Sequence, residues 1–120
     1  MTYRYDTRGH KIEEAYFGPS GKPVTNSLAG ARQTWCYDER DNLIRHDYFD
    51  ESGQPVDPGT GYARVVYRYD ARDNCVEEAY YDRSGRPTML DGHAKVIRRF
   101  DALDRQTQAS YFDQQGRPVD

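Results

Sequence analysis

Through most of this chain apolar and polar residues alternate with a period of two. In "GYARVVYRYD", residues 61–70, Ala63, Val65, Tyr67 and Tyr69 share one side, and Arg64, Val66, Arg68 and Asp70 take the other. That spacing predicts a β-strand, since a helix would repeat every 3.6 residues. The same phase recurs with Ala31, Gln33, Trp35 and Tyr37, and again with Ala94, Val96, Arg98 and Phe100. A second strand is predicted in "CVEEAYYD", with Val76, Glu78 and Tyr80 opposite Glu77, Ala79 and Tyr81. Neither side of it is cleanly apolar. Both faces are therefore expected to be partly wet, or one is covered by a neighbouring stretch.

Turn signals punctuate the alternation. "YFGPSGKP" stands at 16–23, "YFDESGQP" at 48–55, "YYDRSGRP" at 80–87 and "YFDQQGRP" at 111–118. A second phrase gives "YDTRGH", "YDERDN", "YDARDN" and "FDALDR". Its Asp can accept a bond from the backbone two residues on, and its fourth turn residue (Gly9, Asp41, Asp73 or Asp104) suits left-handed backbone. This is the recipe of a type I turn followed by a bulge, a common hairpin connection. The proline two residues after the glycine of the first phrase predicts a chain running at an edge or leaving the ladder. Both markers step by 32, 32 and 31 residues, from Tyr5-Asp6 to Phe100-Asp101 and from Gly21 to Gly116.

The expectation is an all-β chain: four tandem antiparallel hairpin repeats, at about 2–33, 34–65, 66–96 and 97–120, forming an open twisted sheet or solenoid-like array. Residues 1–120 read as a single domain. The competing arrangement is a small closed barrel or propeller. Unlike end copies favour the open array. Gly18 replaces the turn Asp, "NSLAGARQ" stands against "PGTGYARV", and "ALDRQTQAS" stands where its siblings carry aliphatic and acidic residues. Capping accounts for such ends, and simple divergence does so equally.

Composition thins this picture. Ile, Leu, Val and Phe number only 18 of 120 residues, while 11 Tyr supply apolar area with a polar tip. The chain can build a thin, Tyr-faced sheet and not a thick core. Net charge is −3 with both signs interspersed, which leaves no basic face for nucleic acid. No apolar run reaches the roughly 18 residues of a membrane helix. The segment "MTYRYDTRGH" has no apolar signal region. A cytoplasmic location is expected if the chain is complete, and a cell-surface or secreted one if it is cut from a longer repeat protein. Cys36 and Cys75 occupy different phases and read as free thiols.

Candidate chemistry is sparse. His10, His46 and His93 fall at three different phases and read as solvated surface residues; no Cys or His pair has zinc spacing. The Asp-Gly turns lack the alternating carboxylates of a calcium loop. Ser20, Ser52 and Ser84 share one turn position, which marks them as turn formers. Glu77 and Glu78 point to opposite faces, so they cannot work as an acid–base pair. No catalytic set, metal site or cofactor is expected. Aromatic and Arg enrichment marks binding surfaces, and Trp35, Tyr62, Tyr67, Arg68 and His93 are the candidate binding residues. The expected role is a non-enzymatic scaffold that meets a protein partner or itself through sheet edges. The alternative is a carbohydrate or cell-envelope module using the aromatic face.

The phrases "YDERDN", "YDARDN" and "YRYD" resemble the YD repeats of bacterial Rhs-type proteins, which build β-hairpin shells and spirals. The likeness touches every copy through few residues. The 32-residue period and the "GYARV" connector depart from that pattern. The hairpins are also similar to aromatic repeats of bacterial cell-wall and glucan-binding proteins. Either resemblance implies a bacterial, non-catalytic repeat module and supplies no site residues.

Overall fold

The computed structural model describes residues 2–25 and 30–119. Residues 26–29, part of the irregular first connector, lie outside them. The described residues form strands and turns without a helix, so no helix is long and apolar enough to cross a membrane. The strands are β1 (Thr2–Tyr5), β2 (Lys11–Ala15), β3 (Arg32–Tyr37), β4 (Leu43–Phe49), β5 (Arg64–Tyr69), β6 (Cys75–Tyr81), β7 (Lys95–Phe100), β8 (Gln106–Phe112) and β9 (Pro118–Val119). They make one antiparallel sheet whose spatial order follows the chain. β1 and β9 stand at opposite ends of that order, so the sheet is open. It neither closes into a barrel nor winds into a solenoid. The molecule measures 53 × 33 × 17 Å, and its short dimension leaves room for one sheet with its side chains and connectors.

The hairpins form where the turn residues dictate. Asp41, Asp73 and Asp104 have φ of +69°, +67° and +62°, and Gly9 takes the equivalent place at +86°. The Asp that opens each turn accepts backbone N–H groups two and four residues on, as Asp38 does from Arg40 and Asn42 at 2.9 Å. The register slips by one residue next to each turn, at Arg4/Tyr5, Cys36/Tyr37, Arg68/Tyr69 and Arg99/Phe100. Those slips are the expected bulges. Pro23, Pro55 and Pro87 each make only an isolated bridge, to Phe17, Phe49 and Tyr81. The last one, Pro118, belongs to a short strand instead.

The core is a row of small and β-branched residues on one face. Ala31, Ala63, Ala94, Val65 and Val96 are fully covered there, together with Tyr48 and Tyr80. On the opposite face Ala15, Ala79 and Asp47 are buried. Asp47 is reached by Arg45 from its own strand and by Arg64 from β5. The tyrosines of the Tyr-Asp pairs contribute less to the core: Tyr5 is exposed, and Tyr37 and Tyr69 are half-buried. The first tyrosine of the other phrase packs inside in the two middle copies, as Tyr48 and Tyr80.

Candidate functional site

Trp35 and His46 face each other across β3 and β4, and their rings stack at 4.9 Å. Antiparallel pairing sets them side by side, and the row continues from there. His46 packs on Tyr48, Tyr48 on Tyr62, Tyr62 on Tyr80, Tyr80 on His93 and His93 on Tyr111, with centroids between 4.5 and 6.0 Å apart. Tyr48, Tyr80 and Tyr111 come from the even-numbered strands at the same level. Tyr62 and His93 come from the connectors that carry the chain to the next hairpin. Each connector ring thus sits between the tyrosines of two hairpins. Aromatic pairs in this range contribute about 0.5–1.5 kcal/mol each beyond their buried area.

The first connector breaks the row. Gly30 holds the place of Tyr62, with φ of +70°, and a Cβ there would stand 2.7 Å from the Phe49 carbonyl oxygen. Only glycine fits, so no ring separates Tyr16 from Tyr48. A polar string replaces it. Lys11 Nζ donates to Glu14 at 2.7 Å, Tyr16 Oη donates to Glu14, Gln33 Nε2 donates to Tyr16 Oη at 3.3 Å, and His46 Nε2 donates to Gln33 Oε1 at 2.9 Å. The same motif serves Tyr80, which donates to Glu78 while Arg98 pairs with that carboxylate at 2.9 Å.

Three of the five sequence-derived candidates, Trp35, Tyr62 and His93, therefore belong to one row. Tyr67 lies on that face opposite Glu78, half-buried, and burial pushes its hydroxyl up to about 12. Arg68 is not part of the group: it projects from the other face and pairs with Glu77 at 3.2 Å. The expectation of solvated histidines is corrected. His10 stacks on Tyr37 at 4.3 Å, and all three histidines are partly covered by rings. Burial pulls His46 below its ordinary 6.5, with the Asp47 carboxylate opposing that shift. Sequence reading passed over His46, Tyr48, Tyr80 and Tyr111 as row members. The signal was present, because Tyr16, Tyr48, Tyr80 and Tyr111 open the four copies of one phrase.

On the opposite face an open groove of about 680 Å³ runs between Asp38, Arg40, Arg45 and Arg68. Its arginines are already held, Arg40 by Asp73, Arg45 by Asp47 and Arg68 by Glu77. It offers no free cluster of positive charge. Cys36 and Cys75 are unbonded to each other, and burial raises the Cys75 thiol, which keeps it protonated. Among the described residues no three His, Cys, Asp or Glu side chains converge to hold a metal ion.

The sheet also ends in two backbone edges. β1 is exposed at all four positions. At the other end β9 pairs only with Tyr111 and Phe112, so among the described residues no strand lies on the outer side of Gln108, Ala109 and Ser110 of β8, which pair with β7 on their inner side. No protein-family model matches the chain, and no curated protein matches it in sequence.

Proposed function

We propose that this chain is a non-enzymatic scaffold that makes protein contacts, with a partner or with itself, through the open edges of its sheet. On this reading it consists of four copies of a 32-residue hairpin unit, of the kind seen in bacterial YD-repeat proteins, and serves as a module of such an array. One observation carries it: among the described residues, β1 and residues 108–110 of β8 are paired only on their inner sides, which leaves their outer backbone groups open. Unpaired strand edges recruit further strands. The test is sedimentation across a wide concentration range, with Tyr3→Pro and Ala109→Pro as edge-blocking variants. Growth in size, or protection of edge amides by an added polypeptide, is expected and should vanish in the variants. A strict monomer whose edges no polypeptide protects overturns the proposal.

A second reading, carbohydrate binding by the aromatic face, draws on Tyr3 and Tyr5, which stand exposed on β1. It is weakened by the rings of the row stacking on one another rather than lying open as a platform. Glycan titration followed by Trp35 fluorescence separates the two readings; silence across a broad glycan panel removes the second.

A further inference from the structure

The two edges of the sheet are not alike, and three internal junctions show what the β8 edge is shaped to receive. At each junction an incoming segment places an alanine against the preceding hairpin. The carbonyls of Ala31, Ala63 and Ala94 accept the N–H of Tyr16, Tyr48 and Tyr80 at 2.9, 2.9 and 3.0 Å. The same alanines donate their own N–H to Phe49, Tyr81 and Phe112 at 2.9, 2.8 and 2.8 Å. A basic residue follows every time: Arg32, Arg64 or Lys95. At two of the junctions a ring precedes the alanine, Tyr62 or His93, and wedges between consecutive tyrosines.

β8 repeats the receiving half of this arrangement. Tyr111 occupies the place of Tyr48 and Tyr80, yet it is 39% exposed where they are 6% and 8%. Beside it an open cleft of about 330 Å³ is lined by Asp91, Gly92, His93, Tyr111 and Val119. Gln108, Ala109 and Ser110 stand where Glu77, Glu78 and Ala79 pair with Ile97, Val96 and Lys95. Exposed edges are ordinarily protected by charge or proline, and residues 106–110, "QTQAS", carry neither. Among the described residues, the two of β9 are the only cover of this edge. Val119 forms a ladder pair with Tyr111, whereas at the internal junctions Val24, Val56 and Thr88 keep only their N–H bonds to the Tyr16, Tyr48 and Tyr80 carbonyls, beside the Pro bridge, and the tyrosine N–H goes to the alanine.

We propose that the outer edge of β8, from Gln108 to Tyr111, is a socket for an extended segment of another protein carrying an aromatic residue, then alanine, then a basic residue. This rests on the edge-contact reading above and names the occupant. The incoming strand pairs with 108–110 and sets its ring against Tyr111. Its alanine carbonyl accepts the Tyr111 N–H, while Val119 keeps its N–H on the Tyr111 carbonyl, as Val56 and Thr88 do on Tyr48 and Tyr80, and Phe112 keeps its bridge to Pro118. A head-to-tail copy of this chain is a poor occupant. Leu103 stands where Arg8, Arg40 and Arg72 reach the next turn, and Gly9 stands where Asp41, Asp73 and Asp104 receive them. Such a copy gains no rung of that ladder.

The test uses the whole chain and a synthetic peptide of residues 60–69, "TGYARVVYRY". Saturable binding is expected, with amide exchange slowed at Ala109 and the Val119 amide still protected. Antiparallel bonds alternate along a strand, and Tyr48 N–H points to β5, so Ala109, in the place of His46, also points its N–H outward. Ala109→Pro therefore removes an edge donor without a β7–β8 bond, and weakens binding about tenfold. A peptide with Ala63→Lys, added to the wild-type protein, should lose about as much, because the alanine is buried at every internal junction. Absence of saturation, protection at β1 instead, or indifference to both substitutions overturns the socket. If self-association persists while the peptide fails, the edge reading stands and the socket falls. If neither occurs, both fall.

Discussion

Single residues in this sheet are tuned by what stacks on them. His46 is held between Trp35 and Tyr48, and its depressed proton affinity follows from loss of water around the imidazolium. The unfolded chain titrates near the ordinary 6.5, so it binds the proton first. The stability His46 contributes is full above that value and is lost as pH falls through the lower folded value. Trp35 fluorescence should accordingly titrate with a midpoint below 6.5, and His46→Gln should abolish the transition; a midpoint above that value contradicts the stacking account. Hydroxyl groups matter as individually. Tyr69 Oη donates to the Leu43 carbonyl at 2.7 Å, and Tyr37 Oη does the same to Lys11 at 3.3 Å. Phe100, at the same position, has no hydroxyl to donate. Tyr69→Phe is expected to cost about 1 kcal/mol in urea unfolding, and Tyr37→Phe less, in line with its longer bond.

At the scale of strands and turns, the sheet depends on few buried atoms. Val65 and Val96 are the largest side chains that are fully buried. Removing two methyl groups in Val65→Ala leaves a void between β4 and β6 and should cost about 2 kcal/mol. The same change at Val66, half-buried on the opposite face, should cost under about 1 kcal/mol; equal losses would mean that the two faces are equivalent. The turns carry a different dependence. Backbone N–H groups, from Asn42 onto Asp38 and from Asn74 onto Asp70, hold these carboxyls below their ordinary 3.8. The unfolded chain protonates first, so this contribution is present above pH 3.8 and disappears as pH falls through the lower folded values. Acid should therefore open the hairpin ends, read as faster exchange at Asn42 and Asn74, before the Val65 region loosens.

Across the whole molecule the hairpins are joined in two columns. One is the ring row. The other runs along the turns, where Arg8 meets Asp41, Arg40 meets Asp73 and Arg72 meets Asp104. These pairs are about half-exposed, so water and salt screen them. A double-mutant cycle on Arg72 and Asp104 should give a coupling below about 1 kcal/mol, and less in high salt. A larger, salt-insensitive coupling would show that the turn column and not the ring row holds the copies together. The ladder also has direction. Its donor is missing at Leu103, which is 70% exposed, and its acceptor is missing at Gly9.

Much of this was legible in the residues themselves. The sequence alone determined where the chain turns, because left-handed backbone at Gly9, Asp41, Asp73 and Asp104 and the missing N–H of proline are local steric facts. It also determined the alternation of faces, which follows from the period of two. Tertiary structure decided the rest. Val76, Glu78 and Tyr80 lie on one side of β6, and their types do not reveal that Tyr80 is covered. That cover comes from Tyr62 and His93, which lie in separate connectors 31 residues apart. Only the pairing of the strands brings those rings together, closes the sheet's interior and, among the described residues, leaves the outer side of β8 open at 108–110. Burial of a ring depends on which neighbours arrive beside it, and no local pattern carries that information.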